Sequence, residues 1–204
     1  MNAITVLSLL HSQDYEELKR QCEFEIGSMQ GKSINASKAR EKLARKVAKQ
    51  EKDRPYLAGA YIIDDTQQIC DGCAAGVYND ILSGLVTVTD NTTSLFDVRS
   101  VKNCFSDKVE MEKINLKELK QNIKIADASG IKRKKQIVQV GDYYFDARYI
   151  LDYLPTLTGE VQIKQCSNGR TGALLAEGDN GFVFIMSLWG SDEKPIYVVK
   201  PKNT

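Results

Sequence analysis

The chain has almost no net charge: 28 lysines and arginines stand against 27 aspartates and glutamates, a formal +1. Overall charge therefore argues neither for nor against a nucleic-acid partner, and any basic surface has to be local. No apolar run approaches the roughly 20 residues that cross a bilayer. Ile4 to Leu10 is apolar, but it lacks a preceding basic region and a small-residue cleavage site, so it does not read as a secretory signal. Cytoplasm is the expected location and no membrane partner is expected. Histidine is reduced to His11, which reads as a polar surface residue. Phosphate-binding P-loops, dinucleotide-type glycine signatures, nucleophile elbows and H-E-x-x-H helices are all missing, and the carboxylates show no spacing that marks a catalytic pair. No enzyme activity, cofactor or metal is expected.

The cysteines number five, Cys22, Cys70, Cys73, Cys104 and Cys166. An odd, scattered set is not the disulfide framework of a small secreted domain. Cys70-Asp71-Gly72-Cys73 has the C-x-x-C spacing of zinc and redox sites, but a tetrahedral site would need Cys104 and Cys166 to converge on it. Strand or turn cysteines are the simpler reading. A 42% hydrophobic and 27% charged composition is that of an ordinary globular chain, long enough for one core and an appendage.

Residues 1–31 read as that appendage. Ser12 or Asp14 can cap a helix carrying Tyr15, Leu18 and Cys22, and Gly27 and Gly31 are expected to break it. Such a helix either packs on the outside of the domain or serves as a partner-binding or oligomerisation arm. A second helix is expected from Ser33 or Asn35 to about Glu51, with Ala36, Ala39, Leu43, Val47 and Gln50 at helical spacing. Around that thin stripe stand Lys38, Arg40, Lys42, Arg45, Lys46, Lys49 and Lys52, against only Glu41 and Glu51. A solvated helix face explains this, and so does a surface facing a polyanion.

Arg54-Pro55 ends the helix. Tyr56–Ile63 and Gln67–Tyr78 then read as a hairpin turning at Asp64-Asp65, followed by a strand over Ile81–Thr89, a turn at Asp90–Thr93 and an extended piece over Ser94–Val98. Asn115 can cap a helix running to Ile125 with Leu116, Leu119 and Ile123 on one face. Asp127–Gly130 breaks it, and the short basic run Ile131–Lys135 reads as a solvated loop before a strand rather than as a cluster that touches phosphate. Gln136–Phe145 reads as one strand. Asp146 caps a short helix marked by Tyr149, Ile150, Tyr153 and Leu154 and limited by Pro155. Glu160–Gln165, Gly172–Ala176 and Phe182–Leu188 alternate as strands, with turns at Ser167-Asn168-Gly169 and Gly178-Asp179-Asn180-Gly181. Pro195–Val199 can add an edge strand. Each half of this order places a helix against consecutive antiparallel strands, so the expected fold class is α+β, with two similar halves and an extra N-terminal helix.

Residues Phe145 to Leu154, followed by Gly159-Glu160-Val161-Gln162-Ile163, resemble the strand–helix–strand order in the last domain of the bacterial DNA polymerase III beta sliding clamp. Gly181 to Leu188 resembles that domain's final strand. Arg54 to Ile62 and Cys70 to Ala75 resemble its first hairpin. The matches cover roughly residues 35–80 and 136–188. Ala74 stands where the family has an arginine, Ser187 where it has a proline, and the chain continues to Thr204.

The resemblance implies a single DNA-clamp-like domain over 32–204, with an enlarged middle segment at about 81–135. It implies a sequence-independent processivity or tethering factor on double-stranded DNA. With one such domain per chain, a ring or partial ring would require a homo-oligomer. Family helices present cations to duplex phosphates, which maps that role here onto Arg40, Lys42, Arg45, Lys46, Lys49 and Arg148. Met186 and Leu188 fall at positions of the pocket that takes short apolar peptides of DNA polymerase or other replication proteins; as plain residues, both also read as core of a final strand. Thr93-Ser94-Leu95-Phe96 is similar to the end of a clamp-binding peptide, or is an ordinary strand. The alternative function is a stand-alone clamp-fold protein-interaction module that does not encircle DNA.

Overall fold

The computed structural model describes residues 15–50, 54–88, 97–188 and 193–202, and of residues 15–17, 20, 21, 23–30 and 32 it describes the backbone alone. His11, the caps Ser12 and Asp14, Lys52 and Thr93-Ser94-Leu95-Phe96 lie outside these residues.

The first element corrects an expectation. Helix α1 runs unbroken over Tyr15–Gln50, 36 residues or about 54 Å. Gly27 and Gly31 lie inside it, so no helix boundary separates an appendage at 1–31 from the basic segment. Each glycine costs a helix about 1 kcal/mol relative to alanine, and the surrounding Glu, Lys, Gln, Ala and Arg favour the helix enough to carry it through.

After a 3-10 turn at Pro55–Leu57 come β1 (Ala60–Ile63), β2 (Thr66–Cys70) and β3 (Ala74–Tyr78). Asp64 and Asp65 both take positive φ, 44° and 60°, the geometry that joins two strands without splaying them. The expected single strand over 67–78 is broken at Asp71-Gly72, where Asp71 Oδ1 accepts from the backbone of Cys73 (2.9 Å) and Ala74 (2.8 Å). Of the strand expected over Ile81–Thr89, the described residues 81–88 form no strand of their own and contribute a parallel bridge between Thr87 and Ala60. Val98 opens a helix, α2 (Val98–Asn103), capped by Asp97, rather than ending an extended piece.

Then follow β4 (Asp107–Met111), α3 (Leu116–Ala128), β5 (Ile137–Val140), β6 (Tyr143–Asp146), α4 (Ala147–Tyr153) with a 3-10 turn at Leu154–Thr156, β7 (Gln162–Ser167), β8 (Gly172–Gly178), β9 (Gly181–Met186) and β10 (Tyr197–Val199). The expected strand over 136–145 is thus a hairpin, turning at Gly141-Asp142. Asn115 and Asp146 cap α3 and α4 as their sequence positions predict.

The fold is α+β. A seven-stranded sheet has the order β1-β2-β3-β9-β8-β7-β4, and a three-stranded sheet the order β10-β5-β6. The larger sheet is antiparallel throughout. Two meanders, β1-β2-β3 and β7-β8-β9, meet through their last strands, with Gly76 opposite Val183. Each meander follows a helix in sequence, α1 or α4. Leu43 and Val47 of α1, Ile150 and Tyr153 of α4, and Ile69, Leu174 and Ile185 of the sheet share one core. Both helices therefore cover the same sheet face.

Alternation puts Phe182, Phe184 and Met186 on the opposite face. There α2 and Phe105 close over two smaller clusters, one around Val77 and Val98, the other around Leu175 and Phe184. Among the described residues no helix is long and apolar enough to cross a membrane.

Candidate nucleic-acid interface

The basic half of α1 has two opposed faces. Ala36, Arg40, Leu43, Ala44 and Val47 are buried, while Lys38, Lys42, Arg45 and Lys49 are exposed. The second set recurs at i, i+4, i+7 and i+11, a spacing that aligns side chains along one side of a helix. It spans about 16 Å. Lys38, Lys42 and Lys49 have no carboxylate partner among the described residues. Arg45 bonds Glu41 at 2.6 Å, with both side chains largely exposed, a pairing that water keeps weak. Four cations against one carboxylate make this a one-signed strip.

Arg40 leaves the expected DNA-facing set. It sits one turn after Ala36 and one before Leu43 and Ala44, on the side that meets the sheet, and is 1% exposed. Its guanidinium lies 3.9 Å from the centre of the Tyr78 ring, and it donates to the Asp80 carboxylate at 2.9 and 3.2 Å and to the Asp80 carbonyl at 3.0 Å. These contacts fasten α1 to the end of β3. A group so enclosed cannot meet a phosphate.

Two more members of the set are held by neighbours. Lys46 is ion-paired with Asp152 of α4, bracing the two helices. Arg148 folds back on its own helix cap: Asp146 accepts from the Arg148 backbone and, at 2.9 Å, from its Nε. The Asp146 carboxylate raises the already high Arg148 pKa. On α4 the charges of Arg148 and Asp152 cancel, and each is already partnered. The second helix presents no net positive charge.

Lys38, by contrast, belongs to the exposed strip although it stood outside the expected residues. Its i, i+4 relation to Lys42 was the available signal.

Met186 is half-buried against the cluster of Phe105, Cys166, Ala173, Leu175 and Phe184, and Phe105 meets Phe184 edge-on with ring centres 5.1 Å apart. The chain's own α2–Phe105 segment thus lies where Met186 packs. Leu188 is 37% exposed just beyond β9, its backbone N–H bonded to the Tyr144 carbonyl at 2.8 Å.

Cys70 and Cys73 flank the β2–β3 turn. Cys70 is buried and Cys73 exposed, and burial pushes the Cys70 thiol up to about 11, away from the thiolate that metals and redox chemistry need. No group of three or more metal-ligating side chains gathers among the described residues.

No protein-family model, curated protein or solved structure matches the chain.

Proposed function

We propose that this protein is a non-enzymatic, sequence-independent DNA-associated factor with a clamp-like fold, acting in processivity or tethering in the cytoplasm. The observation that carries the reading is the exposed strip Lys38, Lys42, Arg45 and Lys49, opposite a buried face on the same helix. A rigid row of exposed cations suits phosphate, which asks for charge and spacing rather than for base-reading geometry. The two helix-plus-meander halves, with both helices on one sheet face, are consistent with the clamp arrangement. Assembly into a ring or partial ring would gather such strips from several chains, and Leu188, exposed beside Met186, is the place where a short apolar peptide of a replication protein would dock.

Duplex binding over a salt series tests the reading. Four neutralised phosphates give a log–log slope of about −3.6. Replacing Lys42 and Lys49 with glutamine should flatten it by roughly 1.8, since two phosphates then keep their counterions. No binding at low salt, or a slope that the double variant leaves unchanged, overturns the reading. Encirclement has its own test: a ring stays on closed circular DNA through a high-salt wash and slides off once the circle is cut.

A specific observation favours a second reading, a clamp-fold protein-interaction module that does not encircle DNA. A channel needs basic helices all round, whereas on α4 the charges of Arg148 and Asp152 cancel and Arg148 is held by Asp146. Full duplex binding without retention on circles would select a surface tether, and absence of duplex binding would select the interaction module.

A further inference from the structure

The buried side of α1 does not end where the domain ends. Its described buried residues run from Ala36 to Val47, yet the helix extends 21 residues before Ala36, about 31 Å. At about 100° per residue, positions 15, 18, 22, 26 and 29 fall on the same side as 36, 40, 43 and 47. They are Tyr15, Leu18, Cys22, Ile26 and Met29. Of the stripe's described side chains, Cys22 is exposed and Leu18 partly exposed. The same side reaches the domain at Ser33, beside an open cavity of about 870 Å³ whose walls include Ile114, Leu116, Leu154, Val161 and Ile163. An apolar stripe of this length along a helix calls for a surface that covers it.

The stripe is symmetric about Cys22. Tyr15 and Met29 stand seven residues to either side of it, Leu18 and Ile26 four residues to either side. That is the pattern of an isologous contact, in which one patch must be complementary to itself under a two-fold rotation. We propose that two copies of this chain pair through the first half of α1 as an antiparallel helix pair, with the two-fold axis at Cys22. The rotation lays Tyr15 level with the partner's Met29 and Leu18 level with the partner's Ile26. It also brings Lys19 and the partner's Glu23 onto one flank, about 3 Å apart along the axis, twice by symmetry. Opposite charges there favour the antiparallel register. The two domains, each with its basic strip, stand at opposite ends of the pair. This pairing does not depend on DNA binding.

Light scattering on the full chain should give twice the 22.8 kDa chain mass. Leu18→Glu should reduce it to one chain mass while leaving the circular dichroism spectrum and the melting transition of the domain in place. Lys19→Glu should raise the dimer dissociation constant about tenfold, and Lys19→Glu with Glu23→Lys should restore it. A short bis-maleimide should join two chains through Cys22 and fail on Cys22→Ser. A single chain mass at every concentration overturns the proposal. So does a dimer indifferent to Leu18→Glu, or one cross-linked through Cys73 or Cys104 but not Cys22. Duplex affinity of the monomeric Leu18→Glu variant reads the basic strip separately, so failure of either idea leaves the other standing.

Discussion

Replacing Arg40 separates the structural cations of α1 from those free to bind a polyanion. Arg40→Ala removes a desolvated cation–π contact with Tyr78, 3.9 Å from the ring centre, worth about 2 kcal/mol. It also removes the hydrogen bonds to Asp80, worth about 1.5 kcal/mol for a charged group, and opens a cavity against the sheet. Two effects work the other way. The variant no longer buries a cation whose Nε lacks a partner, and Asp80, 50% exposed, is taken up by water rather than stranded. The expected net loss is about 2–3 kcal/mol, or a drop in Tm of roughly 5–10 °C for a chain of this size. Arg40→Met keeps most of the volume and should cost no more than about 1.5 kcal/mol. Urea and thermal unfolding measure both. The same two proteins, tested on duplex DNA, should match the wild-type affinity and salt slope, because the residue never faces the ligand. A well-folded Arg40→Met whose salt slope flattens by about 0.9 would refute this placement, as would an Arg40→Ala that unfolds like the wild type.

Asp152→Asn frees Lys46, whose side chain is 40% exposed, and should steepen the salt slope by about 0.9 at a stability cost under about 1 kcal/mol; weaker duplex binding would contradict the role proposed for the strip. Glu177 tests the outer face of the sheet. Partial burial raises its carboxyl pKa, but Lys102 of α2 and Lys164 of β7, each at 2.8 Å, outweigh that and hold it down to about 2. A depressed carboxylate stabilises the fold above its ordinary pKa of 4.5 and loses that contribution as pH falls toward 2. Wild type and Glu177→Gln should therefore differ in Tm at pH 7 and converge near pH 2, and a gap that persists in acid would show that the lysines do not act through this charge.

Local signals in the sequence translated well into structure. Asn115 and Asp146 cap helices because their short side chains reach the N–H groups two or three residues ahead. The Asn168-Gly169 and Asp179–Gly181 turns separate β7, β8 and β9 where glycine and asparagine allow them. What misled were local signals of moderate strength in a context that outweighed them. Gly27 and Gly31 looked like a break, but two glycines cost less than a long run of strong helix formers gains. Asp71-Gly72 and Gly141-Asp142 carried turn chemistry inside apolar runs, and the runs masked it.

The basic helix shows a different kind of gap. Position along α1 already separated Arg40 from Lys38, Lys42, Arg45 and Lys49, since Ala36, Arg40, Leu43 and Val47 repeat on the buried spacing. Residue type, not position, put Arg40 among the exposed cations. For Lys46 position offered no such help. Its partner Asp152 lies 106 residues away, as Asp80 lies 40 residues from Arg40, and only the packing of α4 and β3 against α1 brings these carboxylates within reach. Whether a lysine is free to meet a phosphate depends on which carboxylates the fold delivers to it, and that delivery is non-local. A count of basic residues on a helix is therefore an upper bound on the charge available for binding. Here three of the six expected cations, Arg40, Lys46 and Arg148, are engaged within the protein. Lys42, Arg45 and Lys49 stay exposed, and with Lys38 they set the scale of any electrostatic hold on DNA.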